Sequence, residues 1–238
     1  MLLGSKIIRF AAIAVASTFL LALIGCRSHT APGRPRVVVS TFPVFDLVRR
    51  IADGDADVAL AKPGSASPVA GEPSGVQLAV SVGLGFDPWM KSINAKRSLQ
   101  VGDRVPTLPS PDGRGIDPYV WLDPQRARLI AKVIAEDLSR VDSAHARQYR
   151  ARAAELDRAI EALDKEVEAK AKSWQGEVKV DRSQLAYFIE RYRIAVAPAE
   201  AGGHQAVIDP IGGDGVSDTY ESVVRRVVSA IDSSREKG

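Results

Sequence analysis

Cysteine is almost absent from this sequence, since Cys26 is the only one in 238 residues. One thiol excludes an internal disulfide, a thiolate zinc site and a CxxC redox pair. Histidine is also scarce, and no two of its three positions have metal-ligand spacing. The glycine-rich loops and nucleophile motifs of nucleotide-binding proteins and hydrolases are missing as well. No motif therefore predicts an enzyme.

The chain also carries little net charge. Lys6 and Arg9 are the only charged residues in positions 1–25, so the formal net charge of +3 falls to +1 without that segment. A nearly neutral chain gives no reason to expect nucleic acid as a partner. No apolar run after residue 25 is long enough to cross a bilayer.

The N-terminal residues indicate export. Lys6 and Arg9 precede an uncharged apolar run, residues 10–24, that ends in Gly25-Cys26. A basic segment, a short apolar core and a small residue before cysteine are typical of a lipoprotein signal peptide, with the thiol as lipid acceptor. The alternative is an ordinary signal peptide or an N-terminal membrane anchor that contains a cysteine. We expect residues 1–25 to be removed and Cys26 to carry a lipid, which places the chain outside the cytoplasm on a bacterial membrane.

The segment after Cys26 predicts a tether followed by an α/β domain. Residues 26–36 are polar with two prolines, and His29 within them is interpreted as solvated. Val37–Val39 predicts a buried strand, apolar residues at helical spacing up to Gly54 predict a helix, and Val58–Leu60 predicts a second strand. This order favours a parallel βαβ unit. The Pro/Gly/Ser-rich residues 62–76 predict a long loop.

Two helices are predicted in the middle of the chain. The first begins at Asp123-Pro124, which suit the N-cap and first helical position; its expected apolar face is Leu129, Ile130, Val133, Ile134, Leu138 and Val141. The second spans residues 143–172, and its apolar face is Tyr149, Ala153, Leu156, Ile160, Leu163 and Val167. Its few heptads disfavour a coiled-coil dimer, so a monomer is expected in which this helix packs along one body or bridges two lobes. His145 is expected at the surface.

The last segment is less regular. Residues 177–180 and 194–197 predict short strands, residues 185–189 an apolar helical patch, and residues 218–231 a C-terminal helix. No internal repeat is present.

The order of these landmarks resembles the substrate-binding lipoproteins of zinc and manganese ABC transporters. The matching segments are VVVSTFPVFDLVRRIADG at 37–54, the GSASP…EPSGV loop at 64–76, VGLGFDPWM at 82–90, DPYVWLDP at 117–124, the charged helix at 143–172, LAYFIERYRI at 185–194 and IDPIGGDGVSDTY at 208–220.

The resemblance implies an α/β protein of the periplasmic metal-binding type, with two lobes joined by a long rigid helix. The N-terminal lobe would comprise residues 37–142, the connecting helix residues 143–172, and the C-terminal lobe residues 173–238. In the family, a strand–helix–strand stretch lies between the segment equivalent to residues 194–197 and the position equivalent to Asp209. Here only residues 198–208 lie between them. The C-terminal lobe is therefore expected to be reduced.

The family's four metal-ligand positions fall on Val69, Tyr119, Arg182 and Asp209. The family has histidine at the first two, histidine or glutamate at the third, and aspartate at the fourth. Here only Asp209 is a usual ligand, whereas the third position brings a permanent positive charge. Arg182 and Asp209 either form an ion pair in a metal-free pocket or remain solvated. His204 is either a relocated ligand or an ordinary surface residue.

Two functions remain open at this point. The first is a solute receptor that delivers a cation, Zn²⁺ or Mn²⁺ by resemblance, or a replacement ligand to an ABC permease. The second is an accessory or interaction lipoprotein that has lost ligand binding. An enzyme is the weakest hypothesis, because no nucleophile–base pair can be named.

Overall fold

A parallel β-sheet forms the centre of the fold. The computed structural model describes residues 33–62, 75–174, 176–178, 180, 182–197, 209–212 and 218–236. Four strands lie in the order β2-β1-β3-β4 and all pair in parallel; they are β1 (Arg36–Val39), β2 (Asp57–Leu60), β3 (Val76–Ser81) and β4 (Ala95–Gln100). The predicted βαβ unit is confirmed, because β1 and β2 pair in parallel on either side of a helix in the chain. The strand β4 was missed by the sequence analysis.

The first helix, α1 (Phe42–Ala52), covers one face of the sheet. Its apolar positions Val44, Leu47, Val48 and Ile51 are all fully buried. Asp53 ends the helix in the left-handed conformation, with φ of 41°, and its amide donates to the carbonyl of Arg49 at 2.8 Å. The opposite face carries a smaller apolar cluster formed by Val38, Ala61, Ala79 and Met90.

Two long antiparallel helices pack beside α1. The helix α2 (Pro124–Val141) begins as predicted, because the Asp123 carboxylate accepts the amide of Gln125 at 2.8 Å and Pro124 occupies the first turn. Its predicted apolar face is wrong at one position, since Leu129 is 44% exposed. That residue lies on the outer edge of the helix, where no other described element covers it.

The long helix α3 (Ala146–Ala171) follows a 3₁₀ turn at Ser143–His145, so it begins three residues later than predicted. All six apolar residues predicted for its inner face are buried. The helix packs along α2. The described residues from 34 onward belong to one compact unit; the division into lobes on either side of this helix stays a prediction.

The described C-terminal residues return to the first half of the chain. Two predicted strands meet at one parallel bridge, Val178 with Val196, and the apolar patch forms α4 (Ala186–Tyr192). The last helix, α5 (Tyr220–Glu236), begins against α1. Its first amide, at Tyr220, donates to buried Asp46 at 2.9 Å, and Glu221 pairs with Arg50 at 2.8 Å.

No described helix combines the length and apolar character that a membrane span requires. The apolar run at residues 10–24, Cys26, His29, Val69 and His204 lie outside the described residues, and so does the side chain of Arg182.

Candidate functional site

The segment between the sheet and α2 meets the segment before α5. Val120–Leu122 forms a 3₁₀ turn that ends at the N-cap of α2. The indole Nε1 of Trp121 donates to the carbonyl of Pro210 at 2.8 Å, and Trp121 is fully buried. This hydrogen bond joins the segment that contains Tyr119 to the segment that contains Asp209. Both residues are predicted ligand positions.

Asp209 is exposed, and its carboxylate faces its own turn. Its Oδ1 accepts the amide of Ile211 at 2.9 Å, and its Oδ2 accepts the amide of Gly212 at 3.1 Å. Two backbone hydrogen bonds fix the carboxylate in place while leaving lone pairs available, because each oxygen can accept more than one donor. The turn therefore presents a fixed negative charge.

An aromatic cluster occupies the neighbourhood of Tyr119. The rings of Phe86, Tyr119 and Trp121 meet edge to face in all three combinations, with centroids 5.4–5.8 Å apart. Rings in this arrangement attract each other beyond the burial of their area. Phe86, which the sequence analysis did not single out, follows β3 and brings that strand's carboxyl end to Tyr119.

A tight loop holds Phe86 in place. The buried Asp87 carboxylate accepts the amides of Val82 and Gly83 at 2.7 and 2.9 Å. Leu84 between two glycines adopts a positive φ of 54°, a conformation that is strained for residues with a side chain. The VGLGFD motif therefore ends β3 and places the ring of Phe86 against Tyr119.

Asp117 is a buried acid with one carboxylate oxygen that accepts no hydrogen bond. It is fully buried; its Oδ1 accepts the amide of Tyr119 at 2.8 Å, whereas its Oδ2 has no hydrogen-bond partner. Burial raises the pKa of Asp117, and the bond from Tyr119 opposes that shift only in part. The hydroxyl of Tyr187 donates to the Asp117 carbonyl at 2.9 Å and links α4 to the same segment.

A buried polar network supports the N-terminus of α2 from behind. Asp164 on α3 accepts hydrogen bonds from Arg191 (3.1 and 2.5 Å), Gln125 (2.5 Å) and Tyr192 (2.9 Å). Although burial opposes ionisation, these bonds hold the pKa of Asp164 below its usual range. Asp123 pairs with Arg126, and burial raises the pKa of Asp123. The network joins α2, α3 and α4.

Metal-binding groups are sparse in this region. Within the described ranges, no three histidine, cysteine or acidic side chains are placed to hold an ion together. Asp209 is the only carboxylate at a predicted ligand position, and Tyr119 offers a phenol, whose ordinary pKa near 10 disfavours coordination. His145 is half-exposed at the start of α3 beside Asp142, with Nδ1 2.6 Å from its carboxylate, so this histidine is unrelated to the site.

The four predicted positions are therefore placed only in part. Tyr119 and Asp209 lie on segments joined by the Trp121–Pro210 hydrogen bond. Arg182 lies on the 3₁₀ turn Arg182–Gln184, ahead of α4, without a described side chain, and Val69 is outside the described residues. Convergence of all four positions stays a prediction, as does the Arg182–Asp209 ion pair.

The fold belongs to a known class of solute-binding proteins. The structure is similar to the periplasmic zinc-binding protein TroA from Treponema pallidum, with a TM-score of 0.68 at 19% identity over 85% of this chain and 99% of that one. It is also similar to a ZnuA deletion mutant solved with zinc bound, with a TM-score of 0.60 at 26% identity over 72% of each chain.

The sequence itself identifies the family. Residues 37–200 match the family model of the periplasmic zinc-uptake complex component A, ZnuA, so the chain belongs to that family. The high-affinity zinc uptake system protein ZnuA of Paracoccus denitrificans (strain Pd 1222) is 38% identical over 90 residues, which is 37% of this chain and 28% of that protein. The resemblance proposed from the motifs is confirmed.

Proposed function

We propose that this protein is an extracytoplasmic solute receptor of an ABC importer, held to a membrane by a lipid on Cys26. The observation that carries the proposal is the family match over residues 37–200 together with the TroA-like fold. Tyr119 and Asp209, on segments joined through Trp121, would contribute to its ligand pocket. An ABC permease is the proposed partner, and the receptor would work as a monomer.

The proposed pocket has lost most of the family's metal ligands. Val69, Tyr119 and Arg182 stand where the resemblance implies imidazoles or a carboxylate, which leaves Asp209 alone. Tight zinc binding requires three or four nitrogen, oxygen or sulfur ligands. A guanidinium facing Asp209 would neutralise that carboxylate in the place of an ion. The receptor would therefore bind Zn²⁺ and Mn²⁺ weakly and would carry a different solute.

A second candidate function is an accessory or interaction lipoprotein derived from the same family. The observation that favours it is the absence of any three-ligand group among the described side chains. In this case the lobe at residues 173–238 would be shortened because ligand clamping is no longer needed.

Melting curves test metal binding directly. We expect the full chain, purified in detergent, to melt at the same temperature with and without micromolar Zn²⁺ or Mn²⁺. A native-state ligand at 100 times its Kd would add about 2.7 kcal/mol, which a melting curve resolves. The Asp209→Ala variant is the control: an ion-induced shift in the parent chain that disappears in this variant would show a working metal site and contradict the proposed loss.

Cell fractionation tests the anchor. We expect the parent chain to sediment with membranes and a Cys26→Ser variant to lose the lipid, since no other thiol is present to accept it. Metabolic labelling with a radioactive fatty acid reports the modification itself. Equal labelling of both chains would exclude Cys26 as the acceptor.

A further inference from the structure

A concave groove runs along the outer edges of α2 and α3, apart from the site described above. Its volume is about 540 Å³, and it shares no lining residue with the segments around Tyr119 and Asp209. We call it the cationic groove; it is lined by Arg128, Lys132, Ala135, Glu136, Arg150, Ala153, Ala154, Asp157 and Arg158.

The groove carries positive charge that its own acids do not neutralise. Asp157 is engaged by Arg128 through two hydrogen bonds of 2.7 and 2.9 Å, and Glu136 lies 4.0 Å from Arg140. The other three cations, Lys132, Arg150 and Arg158, are exposed. None of the three forms a direct ion pair in the described parts of the chain, although Arg158 acts on Asp157 at longer range and helps to lower the pKa of that carboxyl.

The floor of the groove is apolar. Ala135 and Ala153 are buried at the contact between the two helices, and Ala154 lies exposed between Arg150 and Arg158 on the helix surface. Small side chains at these three positions leave the space that larger residues would fill. Leu129, which lies outside the lining of the groove and about one turn before Lys132 on α2, is 44% exposed.

We propose that the cationic groove is a docking site for an acidic amphipathic helix of a partner protein. The apolar floor would take the partner's apolar stripe, and the three cations would pair with its carboxylates. Arg150 and Arg158 are eight residues apart on α3, about 12 Å along the helix axis. Carboxylates two helical turns apart on the partner match that spacing. A concave, apolar-floored surface suits a helix better than the plane of a membrane.

A labelled peptide tests this docking site. The probe is a synthetic 18-residue helix with glutamates at positions i, i+4 and i+8 beside a leucine stripe, about 27 Å long. We expect the peptide to bind the full chain in detergent, and we expect its affinity to fall as the salt concentration is raised. Affinity should fall at least tenfold for Arg150→Glu/Arg158→Glu, and also for Ala154→Phe, which fills the floor without changing charge.

The matched control is Lys96→Glu/Arg104→Glu, which reverses two exposed cations outside the groove. This variant should bind the peptide as the parent chain does, and all variants should keep the parent's melting temperature. Equal weakening by both charge reversals would overturn the proposal, because it would show a general charge effect. Binding to phosphatidylglycerol vesicles but not to the peptide, lost in the Arg150/Arg158 variant, would overturn it in favour of a membrane surface.

Discussion

Asp164 differs from the other acidic residues of α3 by its contacts. Its side chain is 4% exposed and receives four hydrogen bonds from three residues of α2 and α4. In the sequence it is one of many charged residues on a helix whose polar faces all predict solvation. Nothing local distinguishes it from Glu166, because its partners Gln125 and Arg191 lie 39 and 27 residues away. This network could not be predicted from the sequence.

Replacing Asp164 with alanine should destabilise the protein by about 2–3 kcal/mol, because Gln125, Arg191 and Tyr192 lose the charged acceptor of four hydrogen bonds. Urea denaturation measures the loss. Glu166→Ala is the matched control: Glu166 also forms two hydrogen bonds to an arginine, Arg225, but is 54% exposed, so a loss of about 0–1 kcal/mol is expected. Equal losses in the two variants would contradict the buried network.

Asp117 provides a prediction about pH. Burial raises its pKa in the folded protein, so its stabilising contribution is complete below the ordinary aspartate pKa and is lost as the pH rises through the higher folded pKa. Asp117→Asn removes this titration and keeps an oxygen for the Tyr119 amide. The stability of this variant relative to the parent should therefore increase from about pH 4 to about pH 7.

Urea denaturation at the two pH values measures that difference. The exposed Asp103→Asn variant serves as the control and should show no such increase. A constant difference between Asp117→Asn and the parent across this range would mean that Asp117 is not the titrating group.

At the level of elements, hydrophobic periodicity predicted the helices well and the edge of the sheet poorly. The strand β4, with the sequence AKRSLQ, has one buried apolar residue, Leu99, and the residues on either side of it, Ser98 and Gln100, are polar and exposed. Such an edge strand lacks the apolar run that marked β1. The prediction for Leu129 was wrong for the opposite reason, because Leu129 has the spacing of a buried residue but no described segment covers it.

Two leucine variants test this distinction. Leu156→Ala on α3, where the side chain is 3% exposed, should cost about 2–5 kcal/mol through lost burial and the cavity left behind. Leu129→Ala on α2 should change stability by no more than about 0.5 kcal/mol, because its side chain already meets water. Chemical denaturation compares them, and a large loss for Leu129→Ala would show that a described or undescribed segment covers it.

At the level of the whole molecule, the motifs correctly predicted the fold family. Segments 119–122 and 209–212 are neighbours in the structure, whereas the common site of the four ligand positions stays a prediction. The aromatic cluster with Phe86 and the Trp121–Pro210 bond were not predicted, because they depend on side chains from three segments meeting. The lobe boundaries and the place of Val69 stay predictions.

Restoring imidazoles tests whether the four positions converge. The triple variant Val69→His, Tyr119→His and Arg182→His would combine three nitrogens with the Asp209 carboxylate, a complete tetrahedral set for zinc. We expect micromolar Zn²⁺ to raise its melting temperature, by an amount equivalent to about 2.7 kcal/mol at 100 times Kd. Adding Asp209→Ala should reduce the effect. If the triple variant folds but its melting temperature does not change with Zn²⁺, these positions lie apart.

The contacts between α5 and α1 also determine when the chain can fold. The amide of Tyr220 reaches Asp46 across 174 positions of sequence, and the hydroxyl of Tyr220 donates to the carbonyl of Trp121. A chain that lacks residues 220–236 lacks these partners, and its core is open where Tyr220, Val224 and Ile231 would pack. Long-range contacts of this kind slow folding. The native state can therefore be completed only after residues 220–236 have been synthesised, so the segments that precede them wait for their last packing partner.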